Sequence, residues 1–350
     1  MKRTILLILF SSLYSVSYGQ IIKGTILNKN THDGVSDALI YFNGTSVGIY
    51  SDKNGFFKLD VSKYTSMPLT ISSIGYYSET LTNFLTDKIN IIYLTPRIYE
   101  LNEVVINAKA TPEARRERKA NLKVFKEEFL GKTMNAKRCD IINENDITLN
   151  YIYHSDTLKK SYGIYVRTLD TLKAFSSKPI TINNKALGYK ITFYLDKFEY
   201  CNYNHHYFNM GSCFFKEDSA VNKYQQKRFE VRRKSAYLGS RMHFFRALWE
   251  NTLDLEGFTV KNSSNYRLTY DRLVYQADSN LDTDHLKYFK YRGLISIAYH
   301  SKLPNSIIKI EADSVCFNKN TVLNPLGVSW AGEMFRQRIG DLLPFGYKVK

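Results

Sequence analysis

Apolar and polar positions alternate in short runs along the first hundred residues. Residues 22–27, 38–42, 47–50, 56–61, 69–74 and 89–94 each read as a strand, because a two-residue period puts every second side chain on one face. Turn chemistry separates them. Residues 28–34 are rich in Asn, Asp and Gly, Asn43-Gly44 follows the second run, and Asp52-Lys53-Asn54-Gly55 precedes the fourth. Asn-Gly supplies the positive φ that a tight hairpin requires, and Pro96 closes the last run. Strands at this spacing, with no helical period, predict a β-sandwich.

A different pattern starts at Thr111-Pro112-Glu113: a hydroxyl cap, proline at the first helical position and an acid in the first turn. Ala114, Phe125 and Phe129 give this helix one apolar face and Gly131 stops it. Its basic stretch, Arg115, Arg116, Arg118 and Lys119, reads as a solvated face on a helix that joins two domains. Beyond it, strands are expected at 147–153, 164–169, 189–200, 266–270, 294–299 and 307–315, with Ile191, Phe193 and Leu195 sharing one face. Abundant tyrosine suits strand faces where the ring packs and the hydroxyl reaches water. Ser240 caps a helical segment in which Phe245, Leu248, Trp249 and Leu253 recur, and Gly257 lies past its end. The expected fold class is mainly β: a sandwich over 20–107, a linker helix over 108–131, and over 132–350 a larger, mostly antiparallel β domain with one or two inserted helices.

The first nineteen residues have another character. Lys2 and Arg3 precede an apolar run from Ile5 to Phe10, and Ser17 and Gly19 stand where a signal peptidase reads small side chains. This is the pattern of a secretory signal cleaved before Gln20, the run being too short to span a bilayer. No later stretch approaches the ~18 apolar residues of a membrane helix. Export places the mature chain in the periplasm, at the outer membrane or on the cell surface.

Charge changes the picture again. The formal net charge is +16, and from Lys109 onward it is +15, whereas residues 20–108 are near neutral. A basic region beside a neutral one attracts acidic head groups, acidic polysaccharide or nucleic acid. Export removes nucleic acid, leaving an outer-membrane or envelope protein or an acidic polysaccharide as partner, with peripheral membrane contact at most.

Several motifs carry a family resemblance. Ile22-Lys23-Gly24-Thr25-Ile26, Gly34-Val35-Ser36-Asp37-Ala38, Gly44-Thr45, Ser51-Asp52-Lys53-Asn54-Gly55-Phe56-Phe57 and Ile74-Gly75-Tyr76 resemble, in register, the strand and turn signatures of the carboxypeptidase regulatory-like domain. Leu101-Asn102-Glu103-Val104-Val105-Ile106 is similar to the segment that follows this domain in many TonB-dependent receptors. The resemblance implies a prealbumin-like sandwich acting as an accessory that docks or positions a neighbour. The peptidase chemistry of the namesake enzymes needs a His-x-x-Glu zinc pair. None of His32, His154, His205, His206, His243, His285 and His300 has Glu three positions later. Receptor transport is also excluded, since 108–350 is too short for a plug and a large barrel. The stretch from Pro325 through Trp330 to Gln337-Arg338-Ile339-Gly340-Asp341-Leu342-Leu343-Pro344-Phe345, together with the Leu238–Leu255 segment, resembles the C-terminal part of exported proteins that carry the same domain in front, which implies an architecture and no activity.

No catalytic motif, cofactor or metal site is expected. Gly327-Val328-Ser329-Trp330-Ala331 departs from a nucleophile elbow at its last position. Gly131-Lys132-Thr133 lacks the earlier glycine of a phosphate loop, where Lys126 stands. Cys201, His205, His206 and Cys213 match no zinc-finger spacing. Cys201 and Cys213 are the pair whose spacing suits a disulfide, with free buried thiols as the alternative. The basic run Arg228, Arg232, Arg233, Lys234, Arg241 and Arg246, interleaved with Phe229, Tyr237 and Phe244, is the candidate ligand-binding set for an acidic partner. The favoured function is a non-enzymatic envelope or surface protein. The alternatives are an unrecognised hydrolase built from Glu199, His205, His206, Glu250 and Asp254, and, more weakly, a small outer-membrane barrel over 130–350.

Overall fold

The computed structural model describes residues 20–62, 64–65, 67–82, 84–85, 90–97, 111–160, 163–275 and 287–349. The signal sequence at 1–19 and the Leu101–Ile106 motif lie outside them.

The chain divides into two compact units. In the first, strands β1 (Ile21–Asn28), β2 (Leu39–Phe42), β3 (Gly48–Tyr50), β4 (Phe56–Asp60), β5 (Leu69–Ser72), β6 (Glu79–Leu81) and β7 (Asn90–Leu94) form two sheets, ordered β4-β1-β7 and β3-β2-β5-β6. The alternation read in the sequence is what closes them: Ile22, Ile26, Phe57, Leu59, Ile92 and Leu94 point inward to meet Ile40, Phe42, Leu69 and Ile71, with Phe84 fully buried. A sandwich of this kind is the expected fold. Strand β7 runs parallel to β1, and β6 has no counterpart in the sequence reading.

The second unit, which includes Asn43–Ser46, holds two cores. Helix α1 (Pro112–Leu130) begins as anticipated, with the Thr111 hydroxyl accepting from Ala114 N–H at 3.2 Å, and ends at Gly131, whose φ of 103° only glycine takes readily. This helix is more than a connector. Phe125 and Phe129 are fully buried, stacked 4.9 Å apart and edge-on to Phe198 and Phe193. Nor is Arg118 solvated: its guanidinium donates to the carbonyls of Glu144 and Ile147.

Beneath α1 lies a six-stranded sheet of β8 (Cys139–Ile141), β9 (Ile147–Lys160), β10 (Gly163–Ser176), β11 (Ile180–Asn184), β12 (Tyr189–Cys201) and β13 (His206–Glu217). As expected, Ile191, Phe193 and Leu195 share its buried face. Helices α2 (Lys223–Tyr237) and α3 (Arg241–Trp249) follow. Ser240 caps α3 through His243 N–H at 3.0 Å, and Phe244, Phe245, Leu248 and Leu253 seed the second core. That core is closed by β14 (Phe258–Asn262), the short α4 (Tyr270–Leu273), β15 (Val274–Tyr275), β16 (Lys287–Phe289), β17 (Leu294–Tyr299), β18 (Lys302–Ile310), β19 (Val315–Phe317) and β20 (Val328–Ala331), with α5 (Glu333–Arg336) after it. The sheets are ordered β14-β17-β18-β20 and β15-β16-β19.

Two expectations are corrected. Residues 266–270 are not a strand: the Asn262 carboxamide accepts from Ser264 and Tyr266 N–H, Asn265 turns at φ 65°, and the tight turn leads into α4. Among the described residues, the barrel, the weaker alternative, is not formed either. The described strands lie in separate open sheets whose apolar side chains enter two packed cores.

Because α1 supplies two phenylalanines to the first core, Phe129→Ala should lower the stability of the chain by ~3–5 kcal/mol, read by urea unfolding. A loss below about 1 kcal/mol would return α1 to the role of a linker.

Candidate functional site

The basic run between Arg228 and Arg246 does not form one surface. Arg233 is buried on the inner face of α2, its Nε 2.7 Å from Leu187 O, its Nη2 3.1 Å from Gly188 O and its Nη1 2.5 Å from Glu217, with the Tyr189 ring 4.1 Å beneath it. Arg246 donates to Phe345 O and Tyr347 O, each at 2.8 Å, and to Asn320 Oδ1. Arg241 donates to Gln337 O, and burial together with the nearby Arg338 charge pushes its guanidinium down to about 10. These three arginines spend their donors on buried or part-buried carbonyls, which when buried and left unpaired cost ~1–3 kcal/mol each. That leaves Arg228, Arg232 and Lys234 of the candidate set. Lys234 points away into solvent, while Arg228 lies over the exposed Tyr224 ring at 5.6 Å and Arg232 touches Ala186 O at 3.4 Å.

Sequence reasoning missed α2 because it looks for an apolar stripe. Here the inward face is Phe229, Arg233 and Tyr237, and an arginine in that row reads as a polar position. The missed signal is the spacing of four, with aromatics before and after the arginine.

The C-terminal segment obeys the same rule. Arg338 donates to Glu128 O and lies 3.8 Å from the Tyr207 centroid. The Asp341 carboxylate, with its pKa raised by burial, accepts from Thr133 Oγ1 at 2.9 Å and Asn135 Nδ2 at 3.0 Å. A Cβ on Gly340 would come 2.6 Å from Ala136 Cα. The conspicuous tail motif therefore belongs to packing.

All four cysteines are free. The disulfide reading fails on register: Cys201 stands opposite His206 beside the turn, whereas Cys213 stands opposite Phe193. They are eight residues apart along β12, about 26 Å at ~3.3 Å per residue. Burial pushes the Cys213 thiol up to about 12, and burial reinforced by Asp341 and Asp140 does the same to Cys139.

The hydrolase set is not assembled. Glu199 pairs with Lys173 and Lys197, His205 Nδ1 meets Tyr200 Oη at 3.1 Å, and His206 is exposed at the tip of the β12–β13 hairpin. Glu250 and Asp254 follow α3 against the other core, and Asp254 is paired with Arg267. Only Asp254 lines the shallow cleft of about 400 Å³ between the 251–258 and 267–271 loops. His243 is buried with Nδ1 accepting from Gly239 N–H and Nε2 2.9 Å from Glu256, and burial lowers its pKa. A neutral, sequestered imidazole of this kind supports the packing of Tyr237, Phe258 and Tyr299 around it. Among the described residues, no three His, Cys, Asp or Glu side chains converge as metal ligands, and no helix is long and apolar enough to cross a membrane.

Comparison with known proteins identifies one domain. Residues 22–106 match the CarboxypepD_reg-like domain, which covers the first unit and agrees with its sandwich. No curated protein matches the chain. Among solved structures, a 9R-lipoxygenase from Cyanothece PCC8801 is 9% identical with a TM-score of 0.18, the match covering 65% of this chain and 48% of that one. The chain thus spans about half the length of that enzyme, and a likeness this faint carries no argument.

Two outcomes follow. Arg233→Ala should destabilise the chain by ~2–4 kcal/mol, since it strands the buried Leu187 and Gly188 carbonyls, while Lys234→Ala on the same helix should stay within about 0.5 kcal/mol; urea titrations of both variants decide. Thiol labelling should find four reactive cysteines in denaturant, with Cys213 and Cys139 protected in the native chain. A Cys201–Cys213 crosslinked peptide in a non-reducing digest would overturn the register.

Proposed function

We propose that this chain is an exported, non-enzymatic envelope protein in which the CarboxypepD_reg-like domain serves as an accessory docking module and the basic second unit engages an acidic polymer of the envelope. The observation that carries the reading is the charge asymmetry, +15 from Lys109 onward against near neutrality before it. Such a field concentrates polyanions at the surface and does so in a salt-dependent way. Export is supported by the basic, apolar and small-residue succession of the first nineteen positions. A docking role for the first domain is supported by its match to a family of generic β-sandwich domains. The hydrolase alternative draws no support from the geometry, in which none of its five groups bonds to another.

Fractionation of the producing cell tests this reading. Washing the envelope with about 0.5 M salt, where the Debye length falls to roughly 4 Å, should release the protein without detergent. The purified chain should be retained on an immobilised acidic polysaccharide at low salt and elute as salt rises. A protein that stays soluble and free in the periplasm or medium, and that passes through the acidic resin at low salt, would sink the proposal.

A further inference from the structure

Once the structural arginines are set aside, three arginines stand together without an ion pair among the described residues. Arg228 and Arg232 stand one helical turn apart on α2, in a stripe that begins with the exposed Tyr224. Beside them, Arg138 closes the short turn Ala136–Arg138. Two hydrogen bonds bring these parts together across the turn between β11 and β12: Lys185 N–H donates to Arg138 O at 3.2 Å, and Arg232 Nη1 donates to Ala186 O at 3.4 Å. None of the ion pairs among the described residues includes Arg138, Arg228 or Arg232. Asp140 at the margin is held by Lys185 at 2.5 Å. The Arg232 guanidinium is held below its ordinary value by desolvation and then by the positive charges of Arg138 and Arg228. Like charges kept this close without a carboxylate between them mark a place where an external anion lowers the energy of the fold.

We infer that Arg138, Arg228 and Arg232 form an oxyanion site that takes the phosphate group of a phosphorylated saccharide, an inference that rests on the polyanion reading above. Phosphate fits better than carboxylate for a countable reason. A carboxylate neutralises one of the three cations and offers two oxygens, whereas a phosphomonoester carries nearly two charges and three acceptor oxygens. Guanidinium forks match that geometry two donors at a time. Tyr224, 71% exposed at the head of the stripe, provides a flat ring against which the carbon face of a sugar can lie.

Isothermal titration of the purified full chain with glucose 6-phosphate, inorganic phosphate and glucuronate tests the assignment. Two double variants remove equal charge from the same helix: Arg228→Gln with Arg232→Gln, and Lys227→Gln with Lys234→Gln on the neighbouring face. Arg138→Gln, an exposed substitution outside the helix, gives an independent arm, and a thermal melt of each variant checks folding. Glucose 6-phosphate should bind more tightly than inorganic phosphate, and both more tightly than glucuronate. The arginine pair and Arg138→Gln should each weaken glucose 6-phosphate binding by about tenfold or more, with the lysine pair within about twofold. Equal losses in the two double variants would reduce the site to diffuse charge. Inorganic phosphate binding as tightly as the sugar phosphate would remove the saccharide, and glucuronate binding as tightly would remove the preference for phosphate. Retention of the unaltered chain on an acidic polysaccharide resin, together with undiminished glucose 6-phosphate binding by the arginine variant, would sink this site and leave the polyanion reading standing. Loss of retention by the unaltered chain sinks both.

Discussion

The second unit depends on one constraint: backbone carbonyls that leave regular structure inside a protein need donors. Its two cores are joined by turns and by the C-terminal segment, whose part-buried carbonyls have no ladder to pair with. Guanidinium groups provide the donors. Arg118 serves Glu144 and Ile147, Arg233 serves Leu187 and Gly188, Arg246 serves Phe345 and Tyr347, Arg241 serves Gln337, and Arg338 serves Glu128. The planar forks of Arg118, Arg233 and Arg246 make several bonds at once, and the flat faces of Arg233, Arg246 and Arg338 lie on Tyr189, Tyr237 and Tyr207. Lysine, a point charge on a flexible stem, fits none of these places equally well.

This constraint separates what the sequence makes legible from what it hides. The first unit could be read closely, because alternating side chains and Asn-Gly turns are local signals with local causes. So could the caps Thr111 and Ser240, and the buried faces of α1, α3 and β12. Helix α2 escaped because Arg233 occupies its core position, and the strand expected at 266–270 gave way to the Asn262 turn, whose side-chain bonds compete with a ladder. The disulfide pairing failed for another reason. A separation of twelve residues suits a hairpin, yet pairing also requires the same level on both strands, and level follows from where the turn falls.

The candidate site divides along the same line. A basic run with interleaved aromatics has one appearance in sequence and two physical meanings. Where the arginine lies over a tyrosine and faces carbonyls, the cation is part of the core and the aromatic is its support. Where it shares a stripe with an exposed ring and no carboxylate is near, it remains available. Composition adds both kinds into one figure, so the large positive charge of the chain does not count the cations whose donors are free to meet a ligand.

That division also bears on why a chain would carry so much positive charge at all. A core that relies on guanidinium donors holds its cations under partial burial, where only Glu217 offers Arg233 a carboxylate. Burial of unpaired like charge costs energy that grows with each cation: desolvation and then the Arg338 charge hold Arg241 below its ordinary value, while desolvation lowers Arg338 against the opposing pull of Tyr207 and Glu128. An anion seated beside Arg232 would relieve the repulsion that Arg138 and Arg228 exert on it. On the proposed polyanion reading, anion binding and fold stability would be linked by these charges: a bound polyanion would stabilise the second unit in proportion to how much better the folded cluster holds it than the unfolded chain does.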